Sequence, residues 1–213
     1  MLKTDAAILV FCLLFHIECV AAQANTSVIE IPSVRSRVSS GGTLNQRSYF
    51  YTRSQDAILF EVASVSPTFI KVPGLSIIVH HDQPMLYRIG FQGGCQSGTY
   101  SSNFVHLLID GYILIENELL PNNNRRQAVA PHLGTNIDEV DQHNGGLSTG
   151  RSVPFVTSCP RFRKVILRSG THSIDIGVRI TIPNMNLIGG QLEVEISAYD
   201  PDTQLGLSYP IIR

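Results

Sequence analysis

Residues 172–182 alternate without a break, and that pattern sets the fold class. His172, Ile174, Ile176, Val178, Ile180 and Ile182 fall on one face, and Ser173, Asp175, Gly177, Arg179 and Thr181 on the other. Side chains point to opposite faces every second residue only in an extended strand, so this segment is a β-strand with one buried face. The same period recurs along the chain. Ile58, Phe60 and Val62 alternate with Leu59, Glu61 and Ala63, and Tyr87, Ile89 and Phe91 with Leu86, Arg88 and Gly90. Leu192, Val194, Ile196 and Ala198 alternate with Glu193, Glu195, Ser197 and Tyr199. The outward acids make this last strand half-buried rather than central in a parallel sheet. Shorter apolar runs lie at Leu75–Val79, Val153–Val156 and Arg161–Arg168.

Asp110-Gly111 joins Phe104–Ile109 to Tyr112–Ile115 and is the strongest hairpin signal, since a type I′ turn needs positive φ at both central residues. No long amphipathic helix is present; the best helical stretch, Asn136–Gln142, is short. Strands joined by turns, without alternating helices, predict an all-β fold, an antiparallel β-sandwich of jelly-roll kind. The polar segment 117–152 reads as a long loop at one end of the sandwich, and loops of that length are commonly functional or disordered.

The N-terminus reads as a signal peptide over residues 1–22. Lys3 supplies the positive charge, Ala6–Phe15 an apolar run too short to span a bilayer, and Val20-Ala21-Ala22 the small residues of a cleavage site. The expected product is a secreted, extracellular protein that does not span a membrane. Its parts are a polar N-terminal extension at 23–55 and a sandwich domain at 56–213. Cleavage removes Cys12 and Cys19 and leaves Cys95 and Cys159. In an oxidising compartment these two most simply form one disulfide; free buried thiols or an intermolecular bridge are the alternatives. Asn25-Thr26-Ser27 is a glycosylation sequon at the new N-terminus.

The 213 residues carry 16 basic and 17 acidic side chains. Loss of Lys3, Asp5 and Glu18 brings the two into balance, so neither nucleic-acid binding nor a polyanionic calcium sink is indicated. Arg35, Arg37, Arg47 and Arg53 lie in a stretch without acids and read as a solvated extension, or alternatively as a basic arm for sulfated glycans. Arg125-Arg126 reads as exposed arginines beside a turn, with a processing site as the alternative.

Catalytic signals are poor. Gly146-Leu147-Ser148-Thr149-Gly150 matches a nucleophile-elbow pattern but lies in a polar loop before a strand, and His172 and Asp175 follow in the wrong order. His80-His81 are strand neighbours that point apart, while His106 and His172 share faces with apolar residues and read as buried, hydrogen-bonded histidines or half-exposed ones rather than metal ligands. Asp138, Glu139 and Asp141, like Asp200 and Asp202, supply oxygens of the kind calcium takes, but the spacing fits no EF-hand and a solvated acidic loop is the ordinary reading. The expectation is therefore no enzyme, no metal and no cofactor.

Val105-His106-Leu107-Leu108-Ile109-Asp110-Gly111 and Val165-Ile166-Leu167-Arg168-Ser169-Gly170-Thr171-His172-Ser173-Ile174 resemble the hairpins of extracellular jelly-roll modules. Such pairs recur in carbohydrate-binding sandwiches and in secreted invertebrate proteins of tumour-necrosis-factor-like fold. In size and layout the chain also resembles organic-matrix proteins of skeletons and shells. Secretion together with a β-architecture and no credible catalytic constellation points to a non-catalytic protein of an extracellular, biomineral-type matrix, acting in adhesion or assembly through the sandwich face and the 117–152 loop, with matrix components or glycans as partners. A lectin-like carbohydrate-binding module, with Tyr87 or Tyr100 as the exposed aromatic, or a trimeric ligand-like module is the alternative.

Overall fold

In the computed structural model, residues 27–32, 48–97, 101–149, 155–199 and 207–213 are described. They form two packed β-sheets, an antiparallel β-sandwich of jelly-roll kind. The strands are β1 (Ile29–Ile31), β2 (Ser48–Ser54), β3 (Leu59–Val62), β4 (Ile70–His81), β5 (Met85–Ser97), β6 (Ser102–Ile109) and β7 (Tyr112–Ile115). They continue with β8 (Glu118–Leu120), β9 (Leu147–Thr149), β10 (Phe155–Ser158), β11 (Arg161–Leu167), β12 (Gly170–Ile180), β13 (Met185–Ala198) and β14 (Ile211–Ile212). The first sheet runs β1-β4-β12-β6-β7-β8-β14, with β9 on β6; the second runs β10-β5-β13-β2, with β11 on β5 and β3 on β13. The β4–β5, β5–β6, β11–β12 and β12–β13 connections each cross from one sheet to the other. Among the described residues, only β1 on β4 and β14 on β8 pair in parallel.

The alternating residues do what their period requires. Ile174, Ile176, Val178 and Ile180 of β12 meet Tyr87, Ile89 and Phe91 of β5 and Leu192, Val194 and Ile196 of β13 in one core between the sheets. Asp110 and Gly111 both take positive φ, 54° and 81°, which closes β6 and β7 as the hairpin the sequence predicts. Cys95 on β5 is bonded to Cys159, in the link from β10 to β11, with Cα atoms 5.9 Å apart. The bond fastens that link to the strand on which both β10 and β11 pair.

Several expectations are corrected. The sandwich takes in β1 and β2, so the stretch 23–55 is not simply a polar extension; both are laid down as sheet strands. The segment 117–152 is not an open loop where it is described. It forms β8, helices α1 (Arg126–Val129) and α2 (Ile137–Gln142), a 3-10 turn at His143–Gly145, and β9. Asn136 caps α2 by accepting from the backbone N–H of Asp138 and Glu139, each at 3.0 Å. This segment lies over the outer face of the first sheet. Phe69, Phe104, Leu108 and Ile113 there form a second core with Ala130, Leu133 and Val140.

Burial of that face explains its charges. Arg126 is fully buried, not an exposed arginine beside a turn. Its Nε and Nη2 donate to Asp141 at 2.7 and 2.5 Å, and its Nη1 to the Pro67 and Asn123 carbonyls. Arg179, which the alternation puts on the outer face of β12, reaches up to Asp141 at 2.6 Å and Asp138 at 2.5 Å. Its guanidinium stacks 4.2 Å from the centre of the Phe104 ring. Two cations around one buried carboxylate hold the cap onto the sheet.

Candidate functional site

With the first sheet covered, the second presents the open face. Register places its outward residues in rows across β2, β13, β5 and β11. One row is Phe50–Glu195–Arg88–Lys164, and the next is Thr52–Glu193–Gly90–Phe162. Between them runs a trough of about 480 Å³, within the range of small-ligand sites. Gly90 forms part of its floor because a glycine between bulky neighbours leaves a gap in a pleated surface. A Cβ there would sit 3.2 Å from Phe162 Cε1, so the Phe162 ring leans over the glycine from the adjacent strand.

Phe50 and Phe162 are 73% and 59% exposed on opposite sides of the trough. They are not the only large apolar side chains exposed on strands of this sheet: Leu59, Phe155 and Val156 are exposed as well. Covering a bare glycine with a cross-strand ring is a structural use for Phe162. It gives no reason for Phe50. Arg88 Nη1 lies 3.2 Å from Glu195 Oε2, and Gln191 Nε2 donates to Glu193 Oε1 at 3.0 Å. Arg163, at the margin, donates to the Asn144 carbonyl at 2.9 Å. Tyr51 also lines the trough; burial first, then Tyr49, pushes its phenol up, so it stays neutral.

The residues singled out in the sequence are dispersed. Ser148 lies within strand β9, opposite Asn103, which pairs in turn with Ile180 at the far end of β12 from His172. Eight residues of extended chain separate Ile180 from His172, roughly 26 Å, so Ser148 and His172 share no site. Asp175 is also engaged elsewhere, with Lys71 Nζ at 2.6 Å and Ser76 at 2.7 Å. The acidic run is not a solvated turn open to calcium. Asp141 is buried between arginines, Asp138 pairs with Arg179, and Glu139 accepts from Thr135 and Asn136. Among the described residues, no group of three or more His, Cys, Asp or Glu side chains is placed to hold a metal ion.

His80 and His81 do point apart. His80 meets Thr171 and Asp82, whereas His81 is buried and donates from Nδ1 to the Gln83 carbonyl at 2.7 Å. His106 lies under the cap, edge-on to Phe69, with Nε2 donating to the Asp141 carbonyl at 2.8 Å; burial takes its pKa down to about 3. His172 spans Asp110 and the Arg168 carbonyl at 2.8 and 2.9 Å. Tyr87 is not an exposed aromatic. It is fully buried in the core, as its place beside Ile89 and Phe91 dictates. Asn25, Tyr100, Asp200, Asp202 and residues 1–22, where the signal peptide is expected, lie outside the described residues. No helix among the described residues is long and apolar enough to cross a membrane.

No protein-family model matches the chain, and no curated protein is similar to it. Among solved structures it shows a likeness to Eiger TNF from S. frugiperda, at 13% identity over 73% of this chain and 99% of that one. The TM-score is 0.31, too slight a likeness to carry an argument.

Proposed function

We propose that this chain is a non-catalytic extracellular binding module that acts in adhesion or assembly within a matrix, through the open face of its second sheet. The observation that carries the reading is the pairing of Phe50 and Phe162, both well exposed, across a trough whose middle is lined by charged side chains. The disulfide suits an oxidising compartment. The serine, histidine and acid of the hydrolase-like pattern stand apart from one another, which supports a role without catalysis. The near-balance of charge favours recognition by shape and hydrogen bonds over bulk electrostatics.

The test is retention. Purified secreted protein is added to cell-free extracellular matrix and the bound fraction is measured after washing. The intact chain is expected to remain bound, and a Phe50→Ser, Phe162→Ser double variant to wash through while still folded, its unfolding midpoint lowered only by loss of the Phe162 cover over Gly90. Loss of the intact chain in the wash, or equal retention of the double variant, overturns the reading.

A further inference from the structure

We propose that the occupant of the trough is an uncharged saccharide chain lying across the strands, with sugar faces against Phe50 and Phe162. This rests on the reading that the open face is the working surface, and it adds the chemistry of what that surface takes.

The site lies on a sheet face, not an edge. The backbone groups of β13 and β5 are already spent on each other and on the flanking strands. An incoming peptide therefore cannot add as a strand, and recognition falls to side chains alone. Those side chains are arranged in the reverse of a protein–protein interface. Such interfaces place aromatic residues at the centre and deplete Glu and Lys there, leaving charge to the rim. Here Glu193, Glu195 and Arg88 occupy the middle, and the two rings stand at the sides. A protein partner would have to strip water from central carboxylates. A polyol would instead replace that water with its own hydroxyl groups, which donate to carboxylates and accept from guanidinium and amide N–H.

Shape agrees. Phe50 on β2 and Phe162 on β11 are three inter-strand steps apart, roughly 14 Å of backbone spacing, a span for several linked sugars rather than one. Gly90 leaves the floor low between them. The exposed ring faces offer the apolar, electron-rich surface against which the C–H side of a pyranose packs. Charge on the lining nearly cancels, since Arg88, Arg163 and Lys164 stand against Glu193 and Glu195, so the trough carries no strong field that draws a sulfated or carboxylated glycan over a neutral one.

The experiment is a binding titration of the full secreted chain with laminarin, galactomannan, xyloglucan and chito-oligosaccharides, with heparin as the anionic comparison. Saturable binding to at least one neutral saccharide is expected, with little salt dependence. Phe50→Ala or Phe162→Ala is expected to weaken it roughly three- to tenfold, and Glu193→Gln to weaken it with the fold unchanged. If Phe162→Ala unfolds because Gly90 loses its cover, Phe50→Ala, at a fully outward position, carries the test. Heparin binding alone, no neutral binder, or binding indifferent to both phenylalanines overturns the proposal. If no saccharide binds while matrix retention still requires the two rings, the saccharide inference fails and the binding-face reading stands.

Discussion

Asp141→Ala removes the carboxylate shared by Arg126 and Arg179 and measures how tightly the cap is held. In the intact protein the side chains of Arg126 and Asp141 are wholly buried, and that of Arg179 nearly so. Without the carboxylate, Arg126 keeps the Pro67 and Asn123 carbonyls and the Phe69 ring, and Arg179 keeps Asp138 and the Phe104 and Phe69 rings. Breaking a buried pair from one side costs about 3–5 kcal/mol, because a charge is left without its partner. In a domain of this size that lowers the melting temperature by roughly 6–20 °C. Thermal and urea unfolding followed by circular dichroism reads the loss. Hydrogen exchange reads where it falls, with the amides of 121–147 expected to lose protection first. A combined Arg126→Met, Asp141→Leu, Arg179→Met variant is expected to recover much of the stability, because apolar side chains fill the volume without leaving a bare charge. A loss below ~1 kcal/mol for Asp141→Ala refutes the idea that this triad holds the cap.

Removing the disulfide with Cys95→Ser and Cys159→Ser frees a loop spanning 64 positions and is expected to lower the urea-unfolding free energy by about 4 kcal/mol; an unchanged midpoint would show that β5 holds the link unaided. Burial opposes the charge on His172, but the hydrogen bonds to Asp110 and the Arg168 carbonyl outweigh it and hold the ring above the usual histidine range. Its stabilisation is therefore complete below the unfolded value near pH 6.5 and is lost as pH rises through the raised folded value. Asp110→Asn is expected to flatten that alkaline decline in urea midpoint, and a decline that persists unchanged assigns it elsewhere. His106, taken down to about 3, acts with the opposite sign. It lowers stability as pH falls below about 6.5, so His106→Gln is expected to soften acid unfolding, and an identical acid limb contradicts the burial argument.

The sandwich was legible in the sequence because its inner faces obey a period of two with few exceptions, most plainly from Ile174 to Ile180. β2 was hidden by its own composition. In Tyr49-Phe50-Tyr51 the inward and outward residues are all aromatic, so alternation leaves no contrast to read. The cap over the first sheet was hidden for a different reason. Its buried Arg126 and Asp141 and half-exposed Asp138 resemble solvent-exposed residues of a polar loop, and their partners lie 15 to 41 residues away. Arg179 and Asp175 carried a faint signal, being the two charges in the otherwise apolar stretch from Ile174 to Ile180. The trough could not be read from order alone. Phe50, Arg88, Phe162 and Glu193 come from four strands and meet only through pairing register. Tyr87 was the legible error, since its own alternation with Leu86 and Arg88 already turned it inward.

Oxidative footprinting of the protein on intact matrix tests the binding-face claim most directly. Hydroxyl radicals modify exposed phenylalanines, and Phe50 and Phe162 both react in the free protein if exposed as described. On matrix, both rings are expected to become protected, while Ile211 and Ile212, on the edge strand of the first sheet, stay as reactive as before. Undiminished modification of Phe50 and Phe162 in the matrix-bound protein would contradict the claim, because the partner would then be held by some other surface.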